Sequence, residues 1–342
     1  MQTSPIDILQ PSIPATPASG SRASFRFALL CTLFMLAAIW LEPLFAPLCR
    51  ATAAQVGTLL GLAGLAPKVH GSLVTLSGFT VRIVTECSPL YACLLYWAFV
   101  LAQPASGVRT LAGLLLGALV ITAANLLRIS IVTAVGPVVP YFVFDVLHVY
   151  LGQVAMLMLV VASALVWSRW NTGGPAPLPF LLKAGIIATA FFVPWVIINR
   201  AYMALLDSQV AHLFSWLYPG YRLLTPRPFA IYNHTFEVPF FLALVMAGHG
   251  IQTWRRLAAV VGGVCLLAGW HILFRISHVV LSAMNVSEIM PLHQAIYLLG
   301  QFLLPFLLWL RLDGRYSRRI DSPSSAGAEA SCPDKLEPNR AP

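Results

Sequence analysis

The stretch LAGLLLGALVITAANLL, residues 111–127, carries no charged side chain and ends against Arg128. As a helix it would present apolar surface on every side. In a bilayer such a helix bonds its own backbone while its side chains meet lipid, and about 20 mostly apolar residues cover the hydrocarbon core. The run therefore reads as a membrane crossing. Seven more runs share its character: Phe27 to Leu41, Pro89 to Ala102, Val149 to Trp167, Leu181 to Ile198, Val238 to Ile251, Leu257 to Phe274 and Ala295 to Leu310. Together they predict an all-α polytopic membrane protein of about eight transmembrane helices, two of them short. Val56 to Ala66 is apolar too, but at about eleven residues it reads as an interfacial or re-entrant segment. A hydrophobic fraction of 58% with 10% charged residues fits this class.

Lysine and arginine number 21 against 12 acidic residues, a net charge of +9. The basic residues lie scattered between apolar runs and outline no nucleic-acid surface, so no nucleic-acid partner is expected. Their placement suits topology better. Arg22 and Arg26 precede the first run, Arg109, Arg169, Lys183, Arg255 and Arg256 occupy short connections, and Arg311, Arg315, Arg318 and Arg319 follow the last. Eight crossings put all of them on one side, which the positive-inside rule makes cytoplasmic. Both termini are then cytoplasmic, in a multi-pass protein of the cell inner membrane. No convincing cleavage site follows the first run, which is expected to remain as helix one.

Residues 1–24 and 313–342 are polar and rich in Pro, Ser and Ala, as disordered cytoplasmic tails are. Two long connections fall on the outer side, Glu42 to Ser88 and Tyr202 to Glu237. In the first, Ser72 to Val84 is β-branched and interrupted by Gly78, which predicts a small β hairpin. In the second, Phe229 to Thr235 could form a similar strand.

The order of crossings suggests two parallel four-helix halves. Leu127 to Ser130 (LRIS) echoes Phe274 to Ser277 (FRIS), and His148 with Gly152 and Gln153 echoes His293 with Gly300 and Gln301. Parallel duplication of membrane bundles is a known architecture; chance similarity between Leu-rich segments is the alternative. Glu86-Cys87-Ser88-Pro89 aligns roughly with Glu237-Val238-Pro239, which has no cysteine. The division expected is 25–170 for a catalytic membrane domain, 171–180 for a linker, and 181–312 for a second, degenerate or accessory bundle.

Ionisable residues near the membrane face of a bundle are functional candidates, because desolvating them is costly. Cys87, Arg128 and His148 sit at the outer ends of three different predicted helices. A thiolate is a nucleophile, an imidazole moves protons near neutrality, and a guanidinium stabilises developing negative charge. The three together suit acyl transfer. Asp145, one turn before His148, could orient its ring; Asn125 and Glu86 are further supporting candidates, and Glu237, Arg275 and His293, which the repeat pairs with Glu86, Arg128 and His148, are accessory candidates in the second half. Packing for the thiol, a disulfide to Cys49, snorkelling for Arg128 and an interfacial hydrogen bond for His148 are the plain alternatives. The six cysteines lack metal-ligand spacing and there is no His-Glu-x-x-His or Gly-x-Ser-x-Gly motif. No metal or cofactor is expected.

Thr85-Glu86-Cys87-Ser88, Asn125-Leu126-Leu127-Arg128-Ile129 and Asp145-Val146-Leu147-His148 with Gly152 resemble the three signature blocks of the exosortase/archaeosortase family. The resemblance spans roughly Phe27 to Trp167 and looks most like the exosortase H type. It implies a membrane cysteine transpeptidase or protease with Cys87 as nucleophile, Arg128 as transition-state stabiliser and His148 as acid and base. Its implied partners are exported proteins whose C-terminal signal comprises a motif, a transmembrane helix and a basic tail, cleaved at the outer face of the lipid bilayer. Two departures stand out. Many members have glycine after the cysteine, where this chain has Ser88 and Pro89, and the second bundle exceeds a minimal exosortase. The rival readings are a transporter of a small or anionic solute, with Arg128 and Arg275 as anion ligands, and a non-catalytic membrane scaffold.

Overall fold

The computed structural model describes residues 18–173, 177–217, 233–248, 252–282, 284 and 286–312. Six of its helices are long and apolar enough to cross a membrane: Arg22–Trp40, Gly107–Val135, Tyr141–Thr172, Leu178–Trp216, Thr253–Ser282 and Ser287–Arg311. Two shorter apolar helices, α3 (Leu90–Ala102) and α8 (Glu237–Ala247), accompany them. The protein is a multi-pass, predominantly helical membrane protein. At about 1.5 Å per residue α3 and α8 extend only about 16–20 Å, against a hydrocarbon core of about 30 Å. Both are interior helices: Ala98 and Val100 of α3 and Phe241, Ala243 and Leu244 of α8 are fully buried.

The chain opens with α1 (Ala18–Trp40), a short 3-10 turn and α2 (Ala46–Leu62). The apolar segment expected at Val56 to Ala66 thus starts ten residues earlier, as part of a helix whose residues Cys49, Ala53, Val56 and Leu60 pack on Val74, Ile83 and Ile129. The expected hairpin forms between β2 (Leu73–Leu76) and β3 (Phe79–Arg82), and β1 (Lys68–His70) adds a third antiparallel strand. Ser77 and Gly78, both at positive φ (48° and 85°), make the tight turn that matches strand twist. β1 is exposed along its length and has no apolar alternation to reveal it.

Beyond α3, α4 (Gly107–Val135) runs eight residues past the apolar stretch that ends at Leu127. Ser130 and Thr133 return their hydroxyls to the carbonyls of Leu126 and Ile129 at 2.8 Å, so the continuation satisfies its own polar groups. Arg128 therefore lies two turns inside the helix and not at its end. The fourth predicted crossing also begins earlier: α5 (Tyr141–Val149) passes through a π-helical stretch, Tyr150–Ala155, into α6 (Met156–Thr172). His148 stands within α5, two residues before the π stretch begins at Tyr150.

The second half opens with α7 (Leu178–Leu217), 40 residues with Pro194 inside. The apolar run alone predicts a helix over Leu181 to Ile198, with a loop from Tyr202. The helix continues because Met203, Leu206, Val210 and Phe214 recur at helical spacing and are all buried. Residues 218–232, which contain most of the strand expected at Phe229 to Thr235, lie outside the described residues; Asn233–Thr235 is a 3-10 turn leading into α8. α9 (Thr253–Ser282) follows, then α10 (Met290–Leu298), a second π-helical stretch at Leu299–Leu303, and α11 (Leu304–Leu312). Both halves thus pass through a 3-10 turn, a short interior helix, a long helix and a π-interrupted helix. One apolar core runs through both, joining Phe27, Tyr96, Phe99 and Trp167 to Phe240, Leu244, Phe306 and Trp309.

Glycines let α4 approach its neighbours. A Cβ at Gly117 would fall 2.1 Å from the Tyr96 ring, whose hydroxyl donates to the Gly113 carbonyl at 3.0 Å. Gly117→Leu is expected to cost about 1–3 kcal/mol through overpacking, lowering the melting temperature in detergent, whereas Gly262→Leu, with open space around it, leaves it unchanged. Thermal melting followed by size-exclusion fluorescence checks this, and equal melting of the two variants would contradict the packing described.

Candidate active site

Cys87 closes a 3-10 turn, Thr85–Cys87, that joins the sheet to α3. Its N–H donates to the Val84 carbonyl at 2.9 Å. The residues that follow explain the departure from glycine. The Ser88 hydroxyl donates to the Thr85 carbonyl at 2.6 Å and accepts the Leu90 N–H at 3.3 Å, so it fastens the turn to the start of α3. Pro89 then precedes the first helical residue, where its missing N–H costs nothing.

The Cys87 carbonyl is the focus of the site. Asn125 Nδ2 and Arg128 Nη2, one helical turn apart on α4, both donate to it at 3.0 Å. Cys87, Arg128 and His148 line one narrow cleft with Val81, Ile83, Ile129 and Val132. Arg128 Nε and His148 Nδ1 are buried and make no hydrogen bond among the described residues. Leaving such groups unpaired costs about 1–3 kcal/mol each. The His148 ring stacks on Phe144 at 5.8 Å, and Phe144 packs edge-on against Phe79 of β3 at 4.9 Å. Gly152, in the π stretch, lets the guanidinium pass: a Cβ there would lie 2.8 Å from Arg128 Nη1.

Three supporting candidates therefore take different places. Asn125 is in the site, but it holds the backbone of Cys87 rather than its thiol. Among the described residues Asp145 makes no hydrogen bond to His148, whose Nδ1 is without a partner there, and Glu86 is exposed and outside the cleft lining. Cys49 and Cys87 are both free thiols, and burial pushes the Cys49 thiol above its ordinary value.

Glu237, Arg275 and His293 do not join this cleft. They belong to a polar cluster of the second half in which each has another partner. Glu237 meets His271 Nε2 at 2.5 Å, and His271 Nδ1 meets the Tyr202 hydroxyl at 2.7 Å. Arg275 Nε donates to Asp207 at 2.6 Å, and His293 Nδ1 bonds to the Ser277 hydroxyl at 2.9 Å. Thr235, fully buried, ends the 3-10 turn before α8 as Cys87 ends the turn before α3, and Trp195 and Asn199 donate to its hydroxyl. The rough alignment of Cys87 with Val238 is thus displaced by three residues. Asn199, Tyr202, Asp207 and Thr235 fall in or beside the stretch that the sequence reads as a connection after Ile198, and His271 lies inside a predicted crossing, where only the fold shows its partners Glu237 and Tyr202. The helical spacing of Asn199, Met203, Leu206 and Val210 was the available signal.

Residues 17–167 match the family described as transmembrane exosortase (Exosortase_EpsH). The chain carries an exosortase-family domain. Every residue of the cleft falls within this exosortase segment, and the Glu237–His271–Tyr202 cluster falls outside it. Membership supports a membrane transpeptidase or protease role for the exosortase domain. No curated protein and no solved structure matches the chain.

The geometry of the exosortase domain sets an order of thiol reactivity. Cys31 and Cys93 are buried at 0% and 6% exposure, whereas Cys87 opens on the cleft. In detergent-solubilised protein, N-ethylmaleimide is expected to modify Cys87 well before Cys31 and Cys93, as read by peptide mass spectrometry. Protection of Cys87 equal to theirs would contradict the open cleft.

Proposed function

We propose that the protein is an exosortase-like membrane cysteine transpeptidase or protease that cleaves the C-terminal sorting signals of exported proteins. The observation that carries this reading is the shared cleft of Cys87, Arg128 and His148, drawn from the turn before α3, from α4 and from α5. A nucleophile, a cation and a proton carrier in one partly enclosed space are the parts acyl transfer requires.

In the proposed reaction His148 takes the Cys87 thiol proton as the sulfur attacks the scissile carbonyl. Arg128 divides its work: Nη2 anchors the Cys87 carbonyl, and Nε is left to donate to the developing oxyanion. Collapse of the tetrahedral species breaks the C–N bond, and the departing amine, which carries away the transmembrane helix and basic tail, receives the proton from His148. The N-terminal product stays on sulfur as a thioester. An acceptor amine, or water, then attacks with its proton passing to His148, and the thiolate departs to close the cycle.

The charge pattern of the connections supports cytoplasmic termini and a cleft at the outer, periplasmic face of the inner membrane. The anion-transporter reading has less to stand on. Arg275 is neutralised by Asp207, and Arg128 is engaged with a backbone carbonyl.

A co-expressed exported protein with a C-terminal apolar helix and Arg-rich tail reports the activity by its change in size on a gel. Cys87→Ala and His148→Ala are expected to leave it unprocessed at unchanged membrane expression. Arg128→Lys should slow processing by about 10²–10³-fold, since an ammonium cannot hold the carbonyl and an oxyanion together. Gly152→Val, which drives its side chain into the guanidinium, should fall in the same direction. Normal processing by Cys87→Ala would overturn the proposal.

A further inference from the structure

The strand that leads to Cys87 is an edge strand. The Ile83 N–H donates to the Ser72 carbonyl at 2.8 Å, and β2 pairs with β3 in the register Val74↔Val81. In an antiparallel ladder bonded and non-bonded pairs alternate, so Phe79, Val81 and Ile83 bond to β2. The main-chain groups of Thr80 and Arg82 then point to the free edge. Both residues are exposed, and among the described residues neither makes a main-chain hydrogen bond outside the ladder. Such an edge is a ready template for another extended chain.

Where the edge leads identifies its occupant. Val81 and Ile83 form one wall of the cleft that holds Cys87, Arg128 and His148, and Cys87 follows Ile83 after only three residues. α5 borders the other side, where Phe144 meets Phe79 and His148 faces the cleft. Arg128 Nε and His148 Nδ1, buried and without a hydrogen bond among the described residues, belong to two residues that line this same cleft.

Resting on the reading of Cys87 as nucleophile, we propose that the scissile stretch of the substrate polypeptide binds as an extended strand added to the free edge of β3. It pairs with the main chain of Thr80 and Arg82 and delivers its scissile carbonyl to Cys87. Alternate substrate side chains then enter the cleft, where Val81, Ile83, Ile129 and Val132 favour apolar groups two residues apart. The intervening side chains face away. Recognition is of backbone plus a two-residue rhythm.

The same co-expressed exported protein serves as the probe. With Cys87→Ala to hold it uncleaved, Thr80→Cys is combined with single cysteines scanned along the stretch before the probe's apolar helix. Disulfide cross-links are expected at every second position. No cross-links, or a helical spacing of about 3.6 residues, would overturn strand addition. In the otherwise unaltered protein, Thr80→Pro and Arg82→Pro each delete an edge donor without touching the β2 ladder. Each should slow processing about tenfold, equivalent to about 1.4 kcal/mol, at an unchanged size-exclusion profile. Full-rate processing by both folded proline variants, with Cys87→Ala inactive, rejects strand addition and leaves the cysteine mechanism standing. Processing by Cys87→Ala rejects the mechanism itself.

Discussion

One backbone oxygen, the carbonyl of Cys87, organises this protein. It lies where the chain turns from the sheet into a short interior helix, and it receives two side-chain donors at 3.0 Å from one helix, α4. A carbonyl in a buried turn must be paired, and unpaired it would cost on the order of 1–3 kcal/mol. Meeting that demand with an amide and a guanidinium fixes the thiol relative to a positive charge. The rest follows. Tyr96 and Trp167 fit against glycines of α4, Gly152 makes room for the guanidinium, and the Ser88 hydroxyl fastens the turn. Each of these contacts lies where α4 or the turn before α3 meets its neighbours.

The two halves meet the same demand in opposite ways. Both send a 3-10 turn into a short buried helix beside a long one, and both interrupt the last helix with a π-helical stretch. In the first half, two buried nitrogens near the turn keep unused hydrogen-bonding capacity. In the second, the side chains at the corresponding level pair with one another: Glu237 with His271 and Tyr202, Arg275 with Asp207, His293 with Ser277. Thr235, at the end of its turn, has a hydroxyl held by two donors and no thiol. The two halves share one apolar core.

Membrane class, the eight apolar segments, the hairpin and the three cleft residues were legible in the sequence. Each rests on local signals: length of apolar run, β-branched alternation, and ionisable residues at the ends of runs. What was not legible depends on partners distant in sequence. Asn125 reads as a polar residue in an apolar helix, and only the fold shows it 38 residues away on the carbonyl of Cys87. Asp145 lies one turn from His148 in sequence, yet no bond joins them. The long continuation of α7 was missed because polar residues such as Asn199 and Asp207 lowered its hydrophobicity. They face inward to partners, and buried polar residues with partners do not interrupt a helix.

In the proposed reaction Cys87 carries the acyl group of the substrate. Intact-protein mass spectrometry of the purified enzyme, quenched in acid during turnover of the exported protein, tests it most directly. A hydroxylamine-sensitive adduct of the N-terminal product on Cys87, absent from Cys87→Ala, is the expected result. Product formation without any adduct on Cys87, or with the adduct on another residue, would contradict the account.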